Sequence, residues 1–221
     1  MPAVQSYSVR FPVAGNFKFV CLVHVDMTGV VHVLNLSEIL PHDQTFYDRE
    51  TRDDSEALVA DASRLAGRRT PGNNNPVDSG KVTAGIGAIV TTTGGGSQTV
   101  SLARFLRDCL VVRVGDTVEW TNLDPSTPHT VTFGTEPADP RPPSSQVTMD
   151  SDTARHAVVG SPADSVNSGL LVLASQDRNG LAQSPLSVTR FRVTFTSPGT
   201  FDYICSLHDN LGMKGTVVVQ P

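Results

Sequence analysis

Near the C-terminus, Cys205, His208 and Met213 stand in a C-x2-H-x4-M spacing, between one β pattern (Phe201 to Ile204) and the next (Lys214 to Val219). Thiolate and thioether donors joined by imidazole select copper, and two His plus Cys with a weak axial Met describe an electron-transfer copper site. The second imidazole lies upstream, at His129 in Pro128-His129-Thr130-Val131. Cys205 ends a strand pattern and His208 and Met213 follow on a short loop, so three donors converge from one side while His129 arrives from a separate segment. Held on a rigid scaffold, such a set keeps nearly one geometry for Cu(I) and Cu(II), and little rearrangement means a low barrier to electron transfer. A lone Cys or Met is most often a packed core residue. Four donors at this spacing, with strands and turns in place around them, outweigh that reading.

The elements that position these donors occur twice. Val9 to His24 aligns without gaps on Val193 to His208, with Val, Phe, Gly, Phe, Cys and His identical at matched positions. Both copies read as a strand, a Gly turn, a strand ending at Cys, a ligand loop and a final strand. Beyond the His the first copy is two residues shorter, with Met27 standing where the second has Met213. Cys21, His24 and Met27 are therefore a second candidate metal site, but a three-coordinate one, since no His precedes the first copy. A structural remnant is the favoured reading there. His32, His42 or His156, or a His of another chain, would have to complete the set.

What precedes the second copy is fuller. Leu110 to Asn122 reads as two alternating strands joined at Gly115-Asp116, followed by His129. Cys109 opens this stretch and reads as a packed or half-buried thiol. Between the copies lies a helix pattern, about Asp43 to Ala66, with Gly67 placed as its stop and Phe46, Leu58, Ala62 and Leu65 on one face. Its acidic run, Asp48 to Asp61, reads as a solvated face. Arg68 to Gly80 has linker chemistry, RRTPGNNNPVDSG. The organisation expected is a partial repeat over 1–40, a helix and linker over 41–80, and a complete β domain over 81–221. Within the last, about 135–185 is rich in Pro, Ser, Asp and Gly and reads as a long insertion.

Composition excludes several classes. A net charge of −5 argues against nucleic acid, which calls for a basic face. No apolar run approaches the length of a membrane span. The first residues lack a basic region followed by an apolar one, so no signal peptide is expected in this sequence, which points to a mature form or a truncated start.

The stretches GDTVEWTN, PHTVTF and SPGTFDYICSLHDNLGMKGTVVV closely resemble the cupredoxins, the plastocyanin, pseudoazurin and amicyanin group. The resemblance covers roughly 60 residues of the second domain, in motif-dense stretches. The second loop has the plastocyanin spacing, and the first, C-x2-H-x2-M, the shorter amicyanin spacing. The resemblance implies an all-β, Greek-key cupredoxin β-sandwich, here preceded by a partial cupredoxin repeat and a connecting α-helix. It implies one type 1 copper per chain held by His129, Cys205, His208 and Met213, with the His208 ring edge, framed by Leu207 and Leu211, as the exit for the electron. It further implies redox partner proteins and a periplasmic or extracellular setting. The chain departs from the pattern in its longer segment after Phe133, in Thr130 where plastocyanins carry Asn, and in the first copy's missing His. From position, Thr130 is expected to bond to Ser206 and lock the Cys loop.

An enzyme is the competing class, because two-domain cupredoxins include nitrite reductases and small laccases. Those need His-x-His pairs or a His beside the Cys, and here Ile204 and Ser206 flank Cys205 with no His-x-His anywhere. A blue-copper electron carrier is therefore expected, not an enzyme. A copper-binding or protein-interaction module on the same scaffold, without redox shuttling, is the alternative. Copper storage would favour Met-rich segments, and the chain has only four Met. The unpaired edges of the N-terminal strands predict a homodimer.

Overall fold

In Thr117–Leu123 every second residue is buried, and the same period runs through Arg190–Phe195. A strand with one buried face needs a second layer to cover it, and two such sheets stacked face to face meet that need. A computed structural model describes residues 7–21, 28–68, 80–91, 97–172 and 188–221. Its strands are β1 (Gly15–Val20), β2 (Thr28–Val33), β3 (Lys81–Thr91), β4 (Ser97–Leu106), β5 (Cys109–Arg113), β6 (Thr117–Leu123), β7 (Thr132–Phe133), β8 (Thr148–Met149), β9 (Arg155–Val159), β10 (Val166–Asn167), β11 (Arg190–Phe195), β12 (Gly199–Ile204) and β13 (Lys214–Gln220). One helix, α1 (Gln44–Arg68), lies between β2 and β3.

One sheet runs β10-β7-β12-β13-β5 and the other β4-β3-β6-β11-β9-β8, while β1 and β2 form a separate hairpin. Connections cross between the two larger sheets in the Greek-key manner. The turn at Gly115, whose φ is +91°, carries the chain from β5 in one sheet to β6 in the other. Between the sheets lies an aromatic core: Trp120 meets Tyr203 edge-on at 5.1 Å and Phe133 at 5.8 Å, and Phe195 packs on Phe201 at 5.0 Å. Such pairs add directional preference to area burial, which fixes one packing.

The segment expected as an insertion contributes strands to this sandwich. β9 pairs in parallel with β11, from Phe191↔Arg155 to Phe195↔Val159, and β10 pairs with β7. Ala157, Val159, Val166 and Leu171 from it are buried. Its strands are short and sit among Pro, Ser and Asp, so their pairing comes from β7 and β11 and not from local pattern. Residues 173–187 lie outside the described residues.

Cys109 is exposed. The alternation of β5 turns Leu110 and Val112 inward, which points Cys109 outward. The helix matches the expected span, but it runs through Gly67 to Arg68 without stopping. Asp43 starts it, accepting a hydrogen bond from the Phe46 backbone N–H at 2.8 Å. α1 lies against β3 and β4, with Leu58 buried and the acidic stretch mostly exposed. The side chain of Leu65 lies outside the described residues.

The hairpin β1–β2 pairs Gly15 with Val33 through to Val20 with Thr28. Residues 7–14 form no strand, although the repeat predicts one. The matching segment of the second copy, β11, is a strand because β6 and β9 flank it, and residues 7–14 have no such neighbours among the described residues.

Candidate metal centre

Three of the expected donors come together at one end of the sandwich. The ligating atoms of His129, Cys205 and His208 lie within 4.8 Å of one another. Cys205 Sγ is 3.4 Å from His208 Nδ1 and 3.8 Å from His129 Nδ1, so both rings present the same nitrogen to the sulfur. Cys205 and His129 are fully buried, and His208 is half-buried.

Each donor is placed by local structure. Cys205 follows β12, and its N–H donates to the Met213 carbonyl at 3.0 Å, which closes the ligand loop at the start of β13. Inside the loop, a single 3-10 turn spans Asp209–Leu211 and ends at Gly212 with φ +82°. A left-handed backbone there suits glycine and lets the chain turn straight back into β13. Met213 is fully buried, in the hydrophobic core that also holds Cys205. His129 forms an isolated bridge with Leu171, exchanging backbone hydrogen bonds of 3.0 and 2.8 Å. Arg155, on β9, steadies that partner by donating to the carbonyls of Ser168 and Leu170.

Polar groups surround the thiol. The Thr130 N–H donates to Cys205 Sγ at 3.3 Å. The Ser206 N–H donates to Thr130 Oγ1 at 2.8 Å, a bond that ties the Cys loop to the His129 segment. The Ser206 hydroxyl lies 2.9 Å from Thr132 Oγ1, which donates to Asn167 Oδ1, also at 2.9 Å. Burial pushes the Cys205 thiol up, but the His129 and His208 rings and the Thr130 N–H outweigh it and bring the thiol down to about 6. Burial likewise disfavours charge on His129, yet Asp124 and Cys205 hold its pKa above the ordinary value. Cysteine binds copper as its thiolate, and this one forms near neutrality. The donor chemistry therefore fits copper.

Motif reasoning passed over the residues behind His129. Asp124 is buried, with one carboxylate oxygen 3.5 Å from His129 Nε2. Gly85 and Gly87, on β3, make room for the pair: a Cβ at Gly85 would collide with the His129 ring, and one at Gly87 with the Asp124 carboxylate. Gly85 sits at a β-bulge with φ +82°. The sequence signal was Gly-Ile-Gly inside an alternating strand, which marks a bulge or a close approach.

The first copy is described only in part. Cys21 is half-buried after β1, and His24 and Met27 lie outside the described residues. Of the histidines considered as its completion, His32 is a strand residue whose ring nitrogen lies 2.6 Å from Asn16 Oδ1. His42 stacks on Phe46 at 3.8 Å. His156 is held between Asp150 and Thr194.

The family model of copper binding proteins, plastocyanin/azurin family, matches residues 92–220, more than half of the chain. The chain belongs to this family. As a cupredoxin its fold is the copper-binding β-sandwich, and copper is its cofactor. Among solved structures it is similar to oxidized plastocyanin from Dryopteris crassirhizoma, at 25% identity over 63% of this chain and 99% of that one, with a TM-score of 0.33. It is also similar to amicyanin from Paracoccus versutus (Thiobacillus versutus), at 17% identity over 66% and 86%, again with a TM-score of 0.33. Scores this low carry no geometric argument, and the family match bears the assignment. No curated protein matches the chain. Among the described residues, no helix is long and apolar enough to cross a membrane.

Proposed function

We propose that this cupredoxin is a one-electron carrier whose one type 1 copper per chain would be held by His129, Cys205, His208 and Met213. The observation that carries the reading is the convergence of two Nδ1 atoms on a buried sulfur whose pKa has fallen to about 6. Bound there, copper supplies a Cu(I)/Cu(II) couple. The protein fixes the donors on strand ends so that neither oxidation state moves them. Thr130 and Ser206 hold the loop that carries the sulfur. The half-buried His208 ring, beside half-buried Leu207 and exposed Leu211, is the contact point for redox partner proteins.

The same reading makes the chain a carrier and not an enzyme, working in the periplasm or outside the cell. Residues 1–40 serve as a partial repeat, 41–80 as helix and linker, and 81–221 as the copper domain. Among the described residues β1 and β2 pair only with each other, and this supports a homodimer formed through their edges. Voltammetry of the copper-loaded protein tests the carrier role. A reversible one-electron wave with fast self-exchange is expected. Copper that binds but does not cycle would leave a copper-binding or interaction module on the same scaffold.

A further inference from the structure

Behind His129, on the side away from the sulfur, a second charged group is built into the core. Asp124 and His129 both have fully buried side chains, and Asp124 Oδ2 lies 3.5 Å from His129 Nε2. That nitrogen is buried and has no hydrogen-bond partner within bonding distance. With Nδ1 given over to copper, the neutral ring would carry its proton on Nε2, the nitrogen that faces the carboxylate.

The carboxylate itself is held from several directions. Oδ1 accepts from the Ser126 N–H, the Ser126 hydroxyl and the Thr127 N–H, each at 3.0 Å. Oδ2 accepts from the Ser101 hydroxyl of β4. The Ser101, Ser126 and Thr127 contacts all donate hydrogens to the two oxygens, the arrangement that an ionised carboxylate accepts. Asn122 braces the same turn, donating to the Thr127 and Leu171 carbonyls at 3.0 and 2.7 Å. Gly85 and Gly87 remove the two side chains that would otherwise fill this space. A buried carboxylate is costly unless it is paired, and five polar contacts converge on this one.

We propose that Asp124 is a positioning residue for the copper site: it orients the His129 ring and sets a fixed negative charge behind it that favours Cu(II) over Cu(I). The inference rests on the copper reading above. Facing Nε2, the carboxylate would hold the tautomer that leaves Nδ1 free for copper and would raise the basicity of that nitrogen. Added negative charge stabilises the more positive oxidation state. Groups that hold a ligand in this way typically contribute about 10–100-fold to metal affinity.

Asp124→Asn keeps the shape and removes the charge. The expected result is a loss of Cu(II) affinity of about tenfold or more, with Cu(I) affinity held closer to that of the native protein. A tenfold difference between the two states raises the midpoint potential by about 59 mV. A merely structural role would weaken both states alike and leave the potential where it was, and that result overturns the proposal. Should the variant not fold, the unmodified protein loaded with Cu(I) gives the second readout. Nitrogen-15 NMR should show a His129 Nε2–H that exchanges slowly with solvent, and a fast-exchanging proton, or one on Nδ1, overturns the proposal. If the unmodified protein forms no thiolate–copper band at all, the copper reading and this inference fall together. A normal band with an unmoved potential in the variant removes Asp124 alone.

Discussion

The hairpins β1–β2 and β12–β13 reach one pairing from related sequences. Gly15 faces Val33 as Gly199 faces Val219, and the turn end pairs Val20 with Thr28 as it pairs Ile204 with Lys214. The two-residue difference in loop length leaves the register intact. Even a side-chain contact repeats: Phe11 packs on Phe17 at 4.9 Å, as Phe195 does on Phe201 at 5.0 Å. Their surroundings differ entirely. β12 and β13 are flanked by β7 and β5, and Tyr203 and Cys205 are buried, whereas Phe19 is 59% exposed at the position matching Tyr203. Pairing is thus a local property of the hairpin, while the copper centre is a property of the sandwich. The sandwich buries the thiol, brings His129 from another segment and lines the sulfur with Thr130.

The largest expected contrast is in stability. Tyr203→Ala removes a buried ring from the aromatic core and should cost about 3–5 kcal/mol, while Phe19→Ala should stay within about 0.5 kcal/mol. Urea denaturation of the copper-free protein measures both. Equal losses would mean that the first hairpin is packed as tightly as the second.

A second contrast concerns pH. The Cys205 thiol falls from an ordinary 9.0 to about 6, so the unfolded chain holds a proton that the folded chain has released between those values. Its contribution is present above about pH 9 and is lost as pH falls through about 6; at most it amounts to ~4 kcal/mol. His129 runs the opposite way, because its raised pKa contributes below the ordinary value and is lost as pH rises. The net rise from pH 6 to 9 is therefore smaller than the thiol alone would give. Denaturation of the copper-free protein should show it, and Cys205→Ala should remove it. Cys21→Ala should leave it in place.

Thr130→Val probes the contact that joins the two ligand segments. The substitution leaves the Ser206 N–H without its acceptor, and a loss of about 1–3 kcal/mol with a moved thiolate–copper band is expected. An unchanged spectrum and midpoint would remove Thr130 from the account. The smallest effect at the metal should come from deleting residues 1–40. Copper content and spectrum should not change, and light scattering should report a dimer becoming a monomer. A protein that is monomeric before and after the deletion would leave the hairpin edges without a dimer role.

The approach of Cys205 and His208 was legible because it is local: the two sit three residues apart on a strand, turn and strand that announce themselves. His129 could be read from PHTVTF, though nothing in that stretch tells which segment braces it. Leu171, Arg155 and Asp124 do so, and they are scattered across the chain. The pairing of β9 with β11 was hidden for a related reason. Arg155–Val159 carries little strand pattern of its own, and its register is set by a strand more than thirty residues away. Gly67 failed as a helix stop because a glycine late in a helix lowers its stability without ending it.

The central claim, one copper centre in the second copy and none in the first, is tested most directly by titrating the protein with Cu(II) and following its visible absorption and electron paramagnetic resonance. The account predicts one equivalent per chain, with an intense thiolate–copper band abolished by Cys205→Ala and kept in Cys21→Ala. Two equivalents, or a band that survives Cys205→Ala, would contradict it.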